Sequence, residues 1–161
     1  SVRLARPPKG LSGGACGLSS PPSAFLGIEP EDQLNWQFPV KVTVHTQDIG
    51  GPSAGLAMAL GIIDQMSTGR LTGHRIVAAT GEIDQYGNVL DVGGVAEKTV
   101  AVEQAGATVF FVPEVELRTA ESKATPQLHV YGVDNLNQVL RILERLGGSI
   151  SNKPLSTQAA P

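Results

Sequence analysis

The stretch GGPSAGLAMALGII, residues 50–63, places a glycine-rich turn directly before a long uncharged segment. Pro52 suits the first position of a helix, because its φ is preset near the helical value and the N–H that it lacks would have no partner there. Residues 54–63 contain no charged side chain, and a helix that is apolar on every side is buried inside a domain. The sequence therefore predicts a buried helix that begins just after Ser53.

Five segments have the pattern of β-strands, either alternating or short and apolar. They are residues 40–46, 75–83, 89–92, 108–112 and 128–133. The turn at residues 85–88 separates the second segment from the third, so these two are expected to pair as a hairpin. Pro113 ends the fourth segment.

Two further helices are predicted after the hairpin. Residues 95–105 form the first, with Gly106 placed to cap its C-terminus. Residues 135–146 form the second, with apolar side chains along one face and a cap at Asp134 or Asn135. Because strands and helices mix without a strict βαβ alternation, the predicted class is α+β, with a mixed sheet packed against helices.

Composition divides the chain into three parts. Residues 1–24 are rich in Pro, Gly, Ser and Ala and predict a flexible arm, and residues 148–161 predict a disordered tail. Residues 25–147 are the predicted domain, since a chain of 161 residues suits one domain with a core of its own. The content of 41% apolar and 17% charged residues is ordinary for a globular protein.

Charge and residue counts exclude several functions. A formal net charge of −3 offers no basic field to nucleic acid, and no apolar run approaches the roughly 20 residues that cross a bilayer. Cys16 is the only cysteine and the three histidines lack metal-ligand spacing, so no disulfide, metal or cofactor is expected. The sequence has no Walker-type phosphate loop, so the chain itself is not expected to hydrolyse ATP.

Lys98 interrupts the pattern of its predicted helix. At 100° per residue its nearest lateral neighbours are all apolar. They are Val95, Ala101, Val102 and Ala105. Burial disfavours the charged form of an amine, and a neutral amine can take a proton from a hydroxyl. The alternative is a lysine that extends to water along its apolar stem.

Ser53 lies at a Gly-Gly-Pro-Ser turn before an apolar helix. The free N–H groups of a helix N-terminus favour an anion, so an oxyanion formed by attack of Ser53 would be stabilised at this turn, which includes Gly50, Gly51 and Pro52. An ordinary helix cap is the alternative role of this serine. A dyad of Ser53 with His45, on the strand before the turn, is also conceivable.

Thr80 ends an apolar strand segment before Gly81 and Glu82. Its hydroxyl could hold a lysine amine in place, whereas its alternative role is that of an ordinary strand residue chosen for β propensity.

Three motifs resemble those of Lon-type serine protease proteolytic domains. Residues 51–55 read Gly-Pro-Ser-Ala-Gly, residues 80–83 read Thr-Gly-Glu-Ile, and residues 93–98 read Gly-Gly-Val-Ala-Glu-Lys. The order of the motifs and their approximate separations agree with that family as well. The resemblance extends over residues 25–147 and includes Phe-Phe-Val-Pro at residues 110–113.

The resemblance implies a Ser–Lys dyad without a cofactor or metal. By this comparison Ser53 attacks the scissile carbonyl, Lys98 removes the serine proton, and Thr80 positions the lysine amine. An acyl-enzyme then forms and is hydrolysed by water. The substrate that the resemblance implies is an unfolded or exposed polypeptide segment.

One departure from the family's pattern points to one of its branches. Many ATP-dependent members have an acidic residue three positions before the serine, where this chain has Gly50. The stretch 49–55 is more similar to the ATP-independent branch, in which a PDZ domain precedes the proteolytic domain. That similarity implies a longer parent protein with a membrane anchor and an extracytoplasmic catalytic domain, of which residues 1–8 would be the end of the PDZ domain. For the fragment itself we expect no membrane contact and a monomer or weak oligomer.

Two other functions remain open from the sequence. A glycine-rich turn into an apolar helix would also suit a phosphate, as in small-molecule kinases of the GHMP type, although Lys98 would then have no clear task. The domain could also be a catalytically inactive Lon-like module used for docking or assembly.

Overall fold

The computed structural model of the chain describes residues 42–44, 51–67 and 70–151. Within these residues the chain forms four α-helices and five β-strands. The helices are α1 (Gly55–Met66), α2 (Val95–Gln104), α3 (Leu117–Glu121) and α4 (Leu136–Arg145). The strands are β1 (Val77–Ala79), β2 (Glu82–Ile83), β3 (Val89–Leu90), β4 (Val109–Pro113) and β5 (His129–Val133). Single 3₁₀ turns at Pro52–Ala54 and Glu114–Glu116 precede α1 and α3.

The strands form a parallel sheet and a separate antiparallel pair. The sheet has the order β1-β4-β5, with Val77 opposite Val109 and Val109 opposite His129. The pair is β2 with β3, in which Glu82 lies opposite Leu90. The α+β class and the hairpin are therefore confirmed, although the described residues form these two units rather than one mixed sheet. The parallel pairing follows from the connections, because α2 and α3 supply the crossovers that parallel strands require.

The predicted strand 75–83 is divided between the two units, and its prediction as one continuous strand is wrong. The Thr80 N–H still donates to Phe111 O at 2.9 Å, in line with the parallel sheet. At Gly81 the chain turns away, and β2 then pairs with β3. A Cβ at Gly81 would lie 2.6 Å from Val89 Cγ1, so the tight crossing at this point requires glycine.

The core lies on both faces of β4. Alternate residues of this strand contribute to two hydrophobic clusters: Val109 and Phe111 to one, Phe110 and Val112 to the other. The first cluster also contains buried residues of α1 and α4, and the second contains residues of α2 and α3. A strand covered on both faces needs apolar residues at consecutive positions, which is why the run at 108–112 predicts a buried strand. Its predicted end is wrong by one residue, because Pro113 is still part of β4, opposite Val133.

Helix α1 is buried on one face only, in contrast to the predicted burial on all sides. Leu56 and Leu60 are 0% and 7% exposed, whereas Ala57 and Gly61 are exposed. The sheet covers α1 from one side, and glycine and alanine on the other side leave little apolar area in water.

The other two predicted helices are confirmed, together with their end signals. Gly106 follows α2 with φ +83°, and its N–H donates to Glu103 O at 2.8 Å. Asn135 caps α4, because its side-chain oxygen accepts from the Gln138 N–H at 3.0 Å. The short helix α3 was not predicted, since five residues are too few to show a helical period.

One predicted strand and the predicted start of the tail differ from the structure where they are described. Residues 42–44 form no strand, and Val42 and Val44 are 49% and 46% exposed. These residues have no ladder partner among the described strands, and the rest of the predicted strand 40–46 lies outside the described residues, as does the arm 1–24. At the other end, Ser149 N–H donates to Arg70 O and Ile150 packs against the first cluster. The packed chain thus extends to residue 150, beyond the predicted start of the tail at 148. No helix in the described part of the chain is long and apolar enough to cross a membrane.

Candidate active site

The turn before α1 holds Ser53 at the start of a helix, as the sequence predicts. Gly51 has φ +87°, a conformation that glycine adopts readily, and the space beside its Cα is open. Pro52 begins the 3₁₀ turn, and the Gly55 N–H donates to Pro52 O. Ser53 is half-buried within this turn, so it is both held by the fold and accessible from outside.

Three hydrogen bonds join this turn to the Thr80-Gly81 crossing. Ser53 O accepts from the Thr80 hydroxyl at 3.1 Å and from the Gly81 N–H at 3.0 Å. The Leu56 N–H donates in return to Gly81 O at 3.0 Å. Thr80 is only 5% exposed, so its hydroxyl bonds to Ser53 O where little water competes. The backbone at Ser53 is therefore fixed from two sides.

Close packing of α1 on β2 depends on a glycine in the first motif. A Cβ at Gly55 would lie 3.1 Å from Ile83 Cγ2 and 3.2 Å from Ile83 N. The glycine of Gly-Pro-Ser-Ala-Gly therefore meets the isoleucine of Thr-Gly-Glu-Ile, and the two motifs form one structural unit. The sequence alone did not indicate this contact, although a glycine in each motif was a signal that two backbones approach each other.

Lys98 lies in the first part of α2, near a glycine pair. Its backbone N–H donates to Gly94 O at 3.0 Å, and Gly94 has φ +72°. The Lys98 side chain is half-buried. No hydrogen bond among the described residues joins its amine to Ser53 or Thr80. The structure thus brings Ser53 and Thr80 into contact and places Lys98 on a separate element.

The buried face of α2 is rotated from the one that the sequence predicts. Val95 and Thr99 are buried, whereas Ala101 and Ala105 are exposed. Thr99 can be buried because its hydroxyl donates to Val95 O at 2.7 Å. Lys98 consequently lies at the edge of the buried face rather than at its centre, about 60° around the helix from Val95.

The backbone donors of the serine turn are partly used within the protein. Pro52 has no N–H, and the N–H groups of Gly55 and Leu56 are bonded to Pro52 O and Gly81 O. Pro52 therefore contributes to the predicted oxyanion turn through its backbone conformation and not as a hydrogen-bond donor. Gly50 and His45 lie outside the described residues. Within the described ranges, no group of three or more His, Cys, Asp or Glu side chains could hold a metal ion.

Comparison with known proteins identifies the family to which the chain belongs. The family of Lon protease (S16) C-terminal proteolytic domains matches residues 24–145, and the chain belongs to that family. It is 33% identical over 126 residues to Lon protease 1 of Herpetosiphon aurantiacus, an alignment that covers 76% of this chain and 15% of that protein. It is 36% identical over 120 residues to the Lon protease of Desulforamulus reducens, covering 73% of this chain and 15% of that protein.

The resemblance drawn from the three motifs is confirmed at the level of the family. The Lon protease of Rickettsia felis is also similar, with 31% identity over 119 residues, or 72% of this chain. The chain spans about 15% of the length of these relatives, so the similarity concerns their proteolytic domain.

Proposed function

We propose that this domain is a serine endopeptidase that hydrolyses peptide bonds in unfolded or exposed protein segments. Family membership supports this reaction class. The observation that carries the assignment to Ser53 is its backbone: Ser53 O is held by Thr80 and Gly81, while the residue itself stays half-buried at the start of α1. A nucleophile needs this combination of fixed position and access to substrate.

In the proposed reaction Lys98 is the general base. Its neutral amine takes the proton from Ser53 Oγ as Oγ bonds to the scissile carbonyl carbon, which gives a tetrahedral oxyanion. Collapse of this species breaks the C–N bond, and the protonated Lys98 gives its proton to the leaving amine. Water then attacks the acyl-enzyme with Lys98 again as base, which releases the acid and restores Ser53.

The oxyanion would be stabilised at the turn before α1. A helix N-terminus carries partial positive charge and free N–H groups, and donors aimed at the developing charge are the largest electrostatic contribution in acyl transfer. Because the N–H groups of Gly55 and Leu56 are already bonded, we assign the donor role to the N–H of Ser53 and to the preceding glycines, Gly50 and Gly51.

Thr80 has the capacity to serve both halves of the dyad. A hydroxyl has one donor and two acceptor lone pairs. Its donor is used on Ser53 O, so its lone pairs are available to accept an N–H from the Lys98 amine. We propose that Thr80 positions both groups in this way.

We further propose that the domain acts without ATP, as in the branch of the family in which a PDZ domain precedes the proteolytic domain. Peptide-bond hydrolysis by a serine and a lysine requires no nucleotide, and this chain has Gly50 where many ATP-dependent members of the family have an acidic residue. The proposed substrate is thus a segment that is already unfolded, and the proposed state of the domain is a monomer or weak oligomer.

Hydrolysis of casein without ATP tests this function across pH 6 to 10. We expect wild type to cut and Ser53→Ala and Lys98→Ala each to lose at least about 10³-fold in kcat, because members of a catalytic dyad act as a unit. Lys123→Ala, which removes an exposed lysine, is the matched control and should retain activity. Activity in Lys98→Ala would indicate another base, with His45 the first to examine. An inert wild type would favour the docking module.

A further inference from the structure

Helix α2, which carries Lys98, is anchored at both ends by a glutamate. Before the helix, Glu116 Oε2 accepts from the Val92 N–H at 3.3 Å. In its last turn, Glu103 Oε1 accepts from the N–H of Thr125 at 2.7 Å and also from the Thr125 hydroxyl. These bonds connect α2 and the residues just before it to residues 114–125, which contain the 3₁₀ turn, α3 and the four residues after α3.

The N-terminal anchor lies next to a point where the chain has little rigidity of its own. Gly93 and Gly94 separate Val92 from α2, and a Cβ at Gly93 would meet nothing within 4 Å. Gly94 occupies the N-cap position with φ +72° and offers no side-chain cap. The direction of α2 is therefore set by the burial of Val95 and Thr99, with Val102 packed beside them, and by what holds the backbone before the glycines.

Residues 114–125 are suited to hold α2 because they continue from the most buried strand. All five residues of β4 are buried, and Glu116 follows this strand by three positions. On the far side, the Glu114 carboxylate and Leu117 Cβ lie so close over Gly132 of β5 that a Cβ at Gly132 would meet both. The segment is thus packed on the sheet, and its contact with Val92 links the sheet to the start of α2.

We propose that Glu116 is a positioning residue for Lys98, an inference that rests on the proposed peptidase function, and that Glu103 has the same task at the other end of α2. Lys98 lies four residues after Gly94, about 6 Å along the helix axis. A tilt of about 10° at the glycine pair would move the Lys98 backbone by about 1 Å, a displacement that can lower a rate about 100-fold.

The test compares Glu116→Ala, Glu116→Gln and the control Glu121→Ala, which removes an exposed carboxylate of α3. The readouts are kcat and KM on an internally quenched peptide derived from casein, and amide hydrogen exchange at residues 92–98 by NMR. We expect Glu116→Ala to lose 10- to 100-fold in kcat at unchanged KM and to exchange faster at residues 92–98. Glu116→Gln, whose amide oxygen can still accept from Val92, should stay within about threefold of wild type, as should Glu121→Ala.

Three results would overturn the inference. One is a kcat for Glu116→Ala within threefold of wild type, and another is an equal loss in Glu116→Gln, which would implicate the charge rather than the acceptor. The third is a change confined to KM. If Glu116→Ala does not fold, Glu103→Ala and Glu103→Gln repeat the comparison at the exposed end of α2, with a loss of three- to tenfold expected in the alanine variant only. Full activity in Lys98→Ala would instead refute Lys98 as the base and the positioning role with it, whereas full activity in Ser53→Ala would refute the proposed function; in either case faster exchange in Glu116→Ala would still show that Glu116 anchors α2.

Discussion

Substitution of Thr80 by valine removes a single polar group from the candidate site. Valine has nearly the same shape as threonine, and the side chain is 5% exposed, so the packing is retained. The lost interaction is the 3.1 Å hydrogen bond from the Thr80 hydroxyl to Ser53 O. Ser53 O keeps its bond from the Gly81 N–H and does not become unsatisfied. The free energy of unfolding should therefore fall by about 1 kcal/mol, and Tm by about 2 to 4 °C for a domain of this size.

Thr99→Val is the matched control. Thr99 is 0% exposed, and its hydroxyl donates to a backbone carbonyl, Val95 O, at 2.7 Å. The two substitutions thus remove the same kind of bond from the same kind of environment, and their effects on stability should be similar. Only Thr80 contacts the serine turn, so only Thr80→Val should lower kcat, by 10- to 100-fold.

Urea unfolding and peptide hydrolysis, measured on the same samples, separate the two effects. Thr80→Ser, which keeps the hydroxyl, should restore most of the activity. Equal activity in Thr80→Val and Thr99→Val would refute the role of the hydroxyl at the site. A Thr80→Val variant that loses stability well beyond about 1.5 kcal/mol would show that the bond to Ser53 O does more than an ordinary hydrogen bond.

Two further predictions concern stability. Gly55→Ala should lower the free energy of unfolding by about 1 to 3 kcal/mol, because the new Cβ would press on the Ile83 backbone. Gly61→Ala in the same helix has open space around the new Cβ and should raise the free energy of unfolding by up to about 1 kcal/mol. Equal effects of the two variants in urea unfolding would contradict this packing. The hydrogen bond from the Asn88 side chain holds the pKa of Asp84 below its usual 3.8; desolvation opposes this shift, and smaller contributions from backbone N–H groups add to it. The ionised Asp84 carboxylate therefore contributes to stability above pH 3.8, and this contribution is lost as the pH falls through the lower pKa of the folded state. Asp84→Ala should flatten the pH dependence of the free energy of unfolding between about pH 5 and 2. An unchanged slope would argue against a contribution from Asp84.

The elements that the sequence predicts well are those whose burial follows a simple period. The run at residues 108–112 predicts a strand covered on both faces, and the apolar stripe of residues 135–146 predicts a helix with one buried face. Both appear as β4 and α4. In each case the local pattern alone shows which side chains face the core, so no knowledge of a distant contact is needed to interpret it.

The predictions that fail depend on contacts between distant residues. At the break, Gly81 packs against the side chain of Val89 and is hydrogen-bonded to the start of α1, and neither contact is visible in the local alternation of residues 75–83. In α2 the helical period predicts that Ala101 lies on the buried face and that Thr99 points away from it. The structure reverses this, because an alanine loses little by exposure and a threonine can satisfy its hydroxyl on its own helix.

The same distinction separates the two halves of the candidate site. The serine half is held by three hydrogen bonds and by the contact of Gly55 with Ile83, so it belongs to the core and a change there should lower stability and activity together. The lysine half begins at two glycines without a side-chain cap, and by our proposal it is held by the Glu116 carboxylate, 3.3 Å from Val92 N. A change there should lower activity more than stability, because α2 keeps its buried residues while the direction of Lys98 is lost. If Lys98 and Ser53 act together as proposed, we therefore expect variants around Glu116 to separate loss of activity from loss of stability more clearly than variants in the serine turn.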